Sequence, residues 1–186
     1  RRSGKSFLFF NLMKKLIEEG VGKNQIVYIN FEDERLSFDD SNSLDLILQT
    51  YRELYPGIKL NKCYFFFDEI QNITGWEKFT RRIYDNYSKN IFVTGSNASL
   101  LSTEIATALR GRTLSFEILP LSFKEYLRFN EIDSNKKDAV TKANVNRIFN
   151  KYLVEGGFPE LIQIKENLKV KILQEYFDVM IYRDLI

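Results

Sequence analysis

Apolar residues at 8, 9, 12, 13, 16 and 17 recur at the spacing of one helix face between Phe7 and Glu19, and Gly20 and Gly22 stop the run. Gln25 to Phe31 (QIVYINF) is short, β-branched and aromatic, which predicts a strand. Ser43 is placed to cap a helix carrying Leu44, Ile47, Leu48, Tyr51 and Leu54 on one side, ending before Pro56-Gly57. The run Cys63-Tyr64-Phe65-Phe66-Phe67 is continuous rather than alternating, the signature of a strand buried on both faces, and it terminates in Asp68-Glu69. A helix from Trp76 with Phe79, Ile83, Tyr84 and Tyr87 precedes a further strand, Ile91 to Thr94. A helix around Leu100 to Leu109 then leads through Arg110-Gly111-Arg112 into a strand near Thr113 to Leu119.

Strands alternating with helices predict right-handed βαβ units and an α/β three-layer sandwich on a parallel sheet. Beyond Pro120 the pattern is helical only. Ser122-x-x-Glu125 is a capping box opening a helix to about Phe129, and Asn130 to Thr141 reads as a polar connection. Helices follow at about Ala143 to Glu155 and about Asn167 to Leu185, separated by Gly156-Gly157-Phe158-Pro159. The expected division is a core over 1–121 and a helical or winged-helix subdomain over 122–186.

Composition narrows the chemistry. The 186 residues include no histidine and one cysteine, which excludes Ser-His-Asp and Cys-His catalysis, imidazole-ligated zinc and an internal disulfide. With 44% hydrophobic and 28% charged residues the chain reads as globular, and a net charge of +2 does not by itself argue for nucleic acid or acidic lipid. The longest apolar run, Cys63 to Phe67, is far below the roughly 18 residues of a membrane span. The expectation is no membrane span, no signal peptide and a cytoplasmic location.

The chemistry that remains centres on phosphate. Gly4-Lys5-Ser6 matches the end of the loop G-x-x-x-x-G-K-[ST], directly before the first predicted helix. The first glycine of that pattern would stand two positions upstream of Arg1, so the strand that feeds the loop and its first glycine are expected to be missing from this chain. Asp68-Glu69, 64 residues beyond Gly4, has the position and form of a Walker B element. Backbone N–H groups of the loop would wrap a phosphate, with Lys5 neutralising charge and the Ser6 hydroxyl ligating Mg²⁺. Asp68 would hold the same Mg²⁺ through its water shell, and Glu69 would act as general base toward the attacking water.

Further residues have two readings each. Asn97 or Ser96, after the Ile91–Thr94 run, could contact the γ-phosphate or the attacking water, or simply cap a helix. Arg110 and Arg112 fit an arginine finger, and equally fit cations favoured at a helix C-terminus. Glu32, Asp33 and Arg35 sit where open α/β sheets bind ligands, or form a solvated turn. Lys14, Lys15, Arg81, Arg82, Lys165, Lys169 and Lys171 could support a nucleic-acid surface, or be ordinary solvated faces.

The strings RRSGKS, YINFEDERL, YFFFDEIQNITGWEKFTRRIYD, TGSNASLLSTEIATALRGRTLSFEILPLSFKEYL and YLVEGGFPE, with YFDVMIYRDLI at the end, resemble the prokaryotic AAA-type P-loop ATPases. Those proteins resemble one another through G-x-R-R-x-G-K-[ST], D-E-I-Q, T-G-S-[NS] and L-R-G-R. The resemblance implies a P-loop NTPase core binding ATP with Mg²⁺. It implies Ser3, Gly4, Lys5 and Ser6 as nucleotide-binding residues and Ser6 and Asp68 as metal ligands. Glu69, Asn97 and Arg110 or Arg112 would serve catalysis. It also implies a further nuclease-like domain beyond residue 186. ATP hydrolysis driving a conformational change in attached or partner domains is one expectation; a nucleotide-gated DNA- or protein-binding module with little turnover is the other. A homo-oligomer is compatible with either.

Overall fold

The computed structural model describes residues 2–36, 43–95, 109, 111–133, 136 and 138–184. They fall into two compact units: Ser6–Phe116, and Glu117–Ile186 together with Arg1–Lys5. Among the described residues no helix is long and apolar enough to cross a membrane.

The first unit is built on a parallel sheet of three strands in the order β1 (Ile26–Asn30), β2 (Tyr64–Asp68), β3 (Ile91–Val93). The register aligns Tyr28 with Phe66 and Asn30 with Asp68 on one side of β2, and Phe66 with Phe92 on the other. Alternation along the strands sorts the side chains onto two faces. Phe65 and Phe67, with Val27, face a core shared with helix α2 (Asp45–Leu54) and helix α3 (Trp76–Asn86). Helix α2 buries Ile47, Leu48 and Tyr51, and α3 buries Trp76, Phe79, Thr80 and Ile83, at helical spacing; Leu54, expected on the same side of α2, is 66% exposed, and Tyr84 and Tyr87 are only partly buried.

The opposite face belongs to helix α1 (Lys5–Glu18). Phe9 meets Phe66 edge-on at 5.2 Å, Phe10 tilts against Tyr28 at 5.5 Å, and Phe66 stacks on Phe92 at 4.7 Å. Phe65, Phe66 and Phe67 are fully buried, a contribution of about 1.5–3 kcal/mol each. Three layers result, as the continuous apolar run in β2 requires.

Two expectations for this unit are corrected. Residues 113–119 form no strand, and Leu114 and Phe116 are 87% and 80% exposed. A strand is stabilised by its ladder and by burial of its side chains, and this segment has no ladder neighbour among the described residues. The N-cap of helix α2 is Leu44 rather than Ser43, and the Ser43 carbonyl accepts from the Leu46 N–H. The helix expected at about 100–109 lies outside the described residues except for Leu109, which is buried in the core.

The second unit is helical: α4 (Phe123–Phe129), α5 (Ala139–Glu155), α6 (Pro159–Ile162) and α7 (Glu166–Asp184). No strand forms among its described residues. The capping box at α4 is present, with Ser122 Oγ accepting from the Glu125 N–H and the Glu125 carboxylate accepting from the Ser122 N–H. Asp138 caps α5 by accepting from the Thr141 N–H at 2.8 Å, so this helix begins inside the segment expected to be a polar connection. The short α6 opens on Pro159 at its first turn, where the sequence places only a connection between helices.

Gly157 explains part of the Gly-Gly-Phe-Pro string. Its carbonyl accepts from the Leu121 N–H at 2.7 Å, and a Cβ at Gly157 would stand 2.1 Å from the Leu121 carbonyl oxygen. The preceding Gly156 has φ of +71°, a conformation glycine adopts without strain. The same unit holds a buried polar network: Lys169 pairs with Glu155 at 2.8 Å, and the Tyr126 hydroxyl donates to the same Glu155 oxygen at 3.2 Å. Lys169 is 2% exposed, which removes it from the surface lysines able to meet a nucleic-acid backbone. Burial alone would lower its ammonium pKa; the hydrogen bond to Glu155 and the neighbouring acidic groups outweigh this and raise it.

Candidate functional site

β2 is the middle strand, so its last residue, Asp68, comes to rest between the ends of both neighbours. Asp68 is 1% exposed. A polar group this buried requires partners, and the flanking strands supply them. The Tyr28 hydroxyl of β1 donates to Oδ2 at 3.1 Å, and the Thr94 hydroxyl, one residue past β3, donates to Oδ1. Both follow from the parallel register, because Tyr28 and Phe92 lie beside Phe66 and the next same-face residue on β2 is Asp68. Burial, with the Asp68 charge beside it, pushes the Tyr28 phenol up to about 12, so it remains a donor at neutral pH.

Glu69 occupies a left-handed backbone conformation, φ 52° and ψ 43°. For a residue with a Cβ this costs about 1–2 kcal/mol, and the surrounding bonds hold it there. The Glu69 N–H donates to Thr94 Oγ1 at 3.1 Å, and the Ile70 N–H donates to the Thr94 carbonyl at 3.1 Å. Gln71 Nε2 reaches the Glu69 carboxylate at 2.7 Å, and Asn72 Nδ2 reaches the Phe31 carbonyl at 3.4 Å. The Asp-Glu-Ile-Gln-Asn string is thus a strand end followed by one tight turn, Ile70–Asn72, that redirects the chain immediately after the acidic pair.

Ser6 is in the first turn of α1, the helix that covers the Tyr28 and Phe66 face. Ser3, Gly4 and Lys5 group with the helical unit. Ser3 is buried; Gly4 has φ of +94°, and beyond its chain neighbours no described residue comes within 4 Å of where a Cβ would stand. No acidic residue occupies the first turn of α1, which leaves that helix end suited to an anion.

Arg112 is engaged within its own unit. Its Nε pairs with Asp85 of α3 at 3.1 Å, and its guanidinium lies 6.0 Å from the Tyr84 ring centroid. Gly111, at φ +69°, and the bond from the Arg112 N–H to the Leu109 carbonyl make the turn that places it. Asn97, Ser96 and Arg110 lie outside the described residues. Asp33 and Arg35 pair with one another at 2.6 Å, the solvated-turn reading of that segment.

Tyr28, Thr94 and Gln71 were not singled out in the sequence as holding the acidic pair. The available signal was periodicity of two: Tyr28 and Thr94 sit on the face of Asp68 once the strand register is known.

An uncharacterized protein of Methanocaldococcus jannaschii is 43% identical over 191 residues, covering 100% of this chain and 40% of the relative. An uncharacterized protein of Haemophilus influenzae is 36% identical over 186 residues, covering 100% of this chain and 44% of the relative. A second uncharacterized Methanocaldococcus jannaschii protein is 25% identical over 182 residues, covering 87% of this chain and 37% of the relative. The chain therefore spans about two fifths of the length of the curated relatives it matches. No solved structure matches it. The family described as the AAA domain matches residues 1–127, which include the Gly4-Lys5-Ser6 loop, the three-stranded sheet and the Asp68-Glu69 pair, and the chain belongs to that family.

Proposed function

We propose that the chain binds and hydrolyses ATP with Mg²⁺, and that turnover drives a conformational change in attached or partner domains. The observation that carries the reading is Asp68: a buried carboxylate at the carboxyl end of the central strand, gripped by hydroxyls from both neighbours and followed at once by a strained glutamate. An acidic group held so firmly at a sheet's carboxyl edge is costly to bury and has no packing purpose.

The donor chemistry fits the implied ligands. Among the described residues no cluster of three or more Cys, Asp or Glu could form an all-protein metal cage. Mg²⁺ suits the donors that are present, since it is held by one or two hard oxygen ligands together with waters and substrate phosphates. When bound it would neutralise charge developing on the phosphates. On this reading Ser6 and Asp68 hold the ion, and Lys5 with the N–H groups of Ser3 to Ser6 bind the phosphates. Glu69 orients and polarises the attacking water, aided by Asn97. Arg110 or Arg112 supplies a finger; for Arg112 that requires the Asp85 ion pair to open.

The test is phosphate release and ATP binding by the full-length protein. Glu69→Gln should keep ATP binding and lose turnover by a factor of about 10² or more. Equal turnover in that variant would sink the role of Glu69. Absence of ATP binding by the wild type would sink the whole reading.

A further inference from the structure

The loop carries an arginine whose charge is already in use. Arg2 Nη1 pairs with Glu160 Oε2 at 2.8 Å, and its guanidinium lies over the Tyr176 ring, 4.6 Å from the centroid. The Tyr176 hydroxyl donates to the same Glu160 oxygen at 2.7 Å. One carboxylate oxygen, one phenol and one guanidinium thus close a three-membered cluster joining residue 2 to residues 160 and 176.

Each holder is itself fixed. Tyr176 is buried and takes the edge of Phe158 at 5.4 Å. Glu160 stands in the first turn of α6 behind Pro159, in the segment clamped by the Gly157 contact with Leu121. Arg2 is the mobile partner by chemistry, a long side chain, yet its backbone sits at φ 54°, a left-handed conformation that a non-glycine residue adopts only when something else imposes it. Two residues later Gly4 is also left-handed.

We propose that Glu160 and Tyr176 are positioning residues for the phosphate loop, acting through Arg2 to hold the loop backbone in the shape that presents Gly4 to Ser6 to phosphate. The inference rests on the nucleotide reading above and adds to it a coupling, within one unit, between the loop residues and Glu160 and Tyr176. Coupling is reciprocal: whatever the cluster adds to nucleotide affinity, bound nucleotide adds to the stability of the cluster. The pair is half exposed, so its effect is modest rather than decisive.

The experiment is a double-mutant cycle in the full-length protein, using Mg·ADP binding by calorimetry so that turnover plays no part. Arg2→Ala and the isosteric Glu160→Gln should each weaken binding by about threefold to tenfold, and the double variant should be no weaker than the weaker single. Tyr176→Phe, which keeps the ring and loses the bond to Glu160, should give a smaller loss. Mg·ADP should also slow amide exchange at residues 158–162 in the wild type and not in Arg2→Ala, a response that a purely structural role for Glu160 would leave in place. Effects of the two single variants that multiply in the double, or unchanged affinity in both singles, would overturn the proposal. If the wild type binds no Mg·ADP, the nucleotide reading fails and this inference fails with it; if it binds and the cycle is multiplicative, only the inference fails.

Discussion

The Thr94 hydroxyl donates to Asp68 Oδ1 while accepting the N–H of Glu69 at 3.1 Å, so one side chain past β3 fixes both members of the acidic pair at the end of β2. Thr94→Val keeps the shape and removes the hydroxyl, leaving a buried carboxylate oxygen and the Glu69 N–H each short of a partner. The expected loss is about 1–3 kcal/mol of stability with a drop in any ATP turnover. Thr94→Ser should recover most of both. Chemical denaturation of the three forms, with phosphate release alongside, provides the check; an unaffected Thr94→Val would show that the hydroxyl is dispensable.

Glu69 combines a strained backbone with the proposed base. Glu69→Gly removes the Cβ that makes φ 52° unfavourable, and is expected to leave stability unchanged or raise it by up to about 1 kcal/mol while abolishing turnover. Opposite movement of melting temperature and activity is the signature to look for. A marked fall in melting temperature would mean that contacts of the Glu69 side chain, such as that with Gln71, outweigh the strain.

Lys169 and Glu155 form a buried ion pair, with side chains 3% and 7% exposed. Removing one partner strands the other charge, so Lys169→Ala should destabilise the helical unit by about 3 kcal/mol or more. The paired replacement Lys169→Met with Glu155→Leu should lose much less. Thermal melts of the single and paired variants distinguish a charge effect from a packing effect.

Gly157→Ala would drive a methyl group against the Leu121 carbonyl, a backbone atom with little room to retreat. The expected cost is about 1–3 kcal/mol, confined to the helical unit. Faster amide exchange at residue 121 and around α6, with β1 to β3 unchanged, would register it.

Alkaline titration should separate the tyrosines. Tyr28, Tyr126 and Tyr176 are each pushed up to about 12, chiefly by burial and further by Asp68, Glu155 and Glu160 respectively. A phenol raised above its unfolded value near 10 adds stability that is fully present below about pH 10 and is lost as pH rises through about 12. Tyrosinate absorbance should therefore show a late fraction, and Tyr28→Phe should diminish it. Titration of all ten tyrosines as one class near pH 10 would contradict these environments.

The sequence alone determined the order of α1 to α3 and β1 to β3, the continuous burial of β2, the Ser122 capping box and the acidic pair at a strand end. These are local properties, written in spacing of 3.6 and 2 and in the chemistry of adjacent residues. Tertiary structure decided the rest. Tyr28 and Thr94 became partners of Asp68 only through strand register, and Arg2 met Glu160 across 158 positions. Lys169, one of many lysines on amphipathic helices, was drawn into the interior by Glu155. Residues 113–119 carried a strand's apolar character and formed none, because a strand is completed by its neighbour. Periodicity specifies which side of an element prefers burial; which residues then touch depends on register and packing between segments distant in the chain, and no local pattern encodes that.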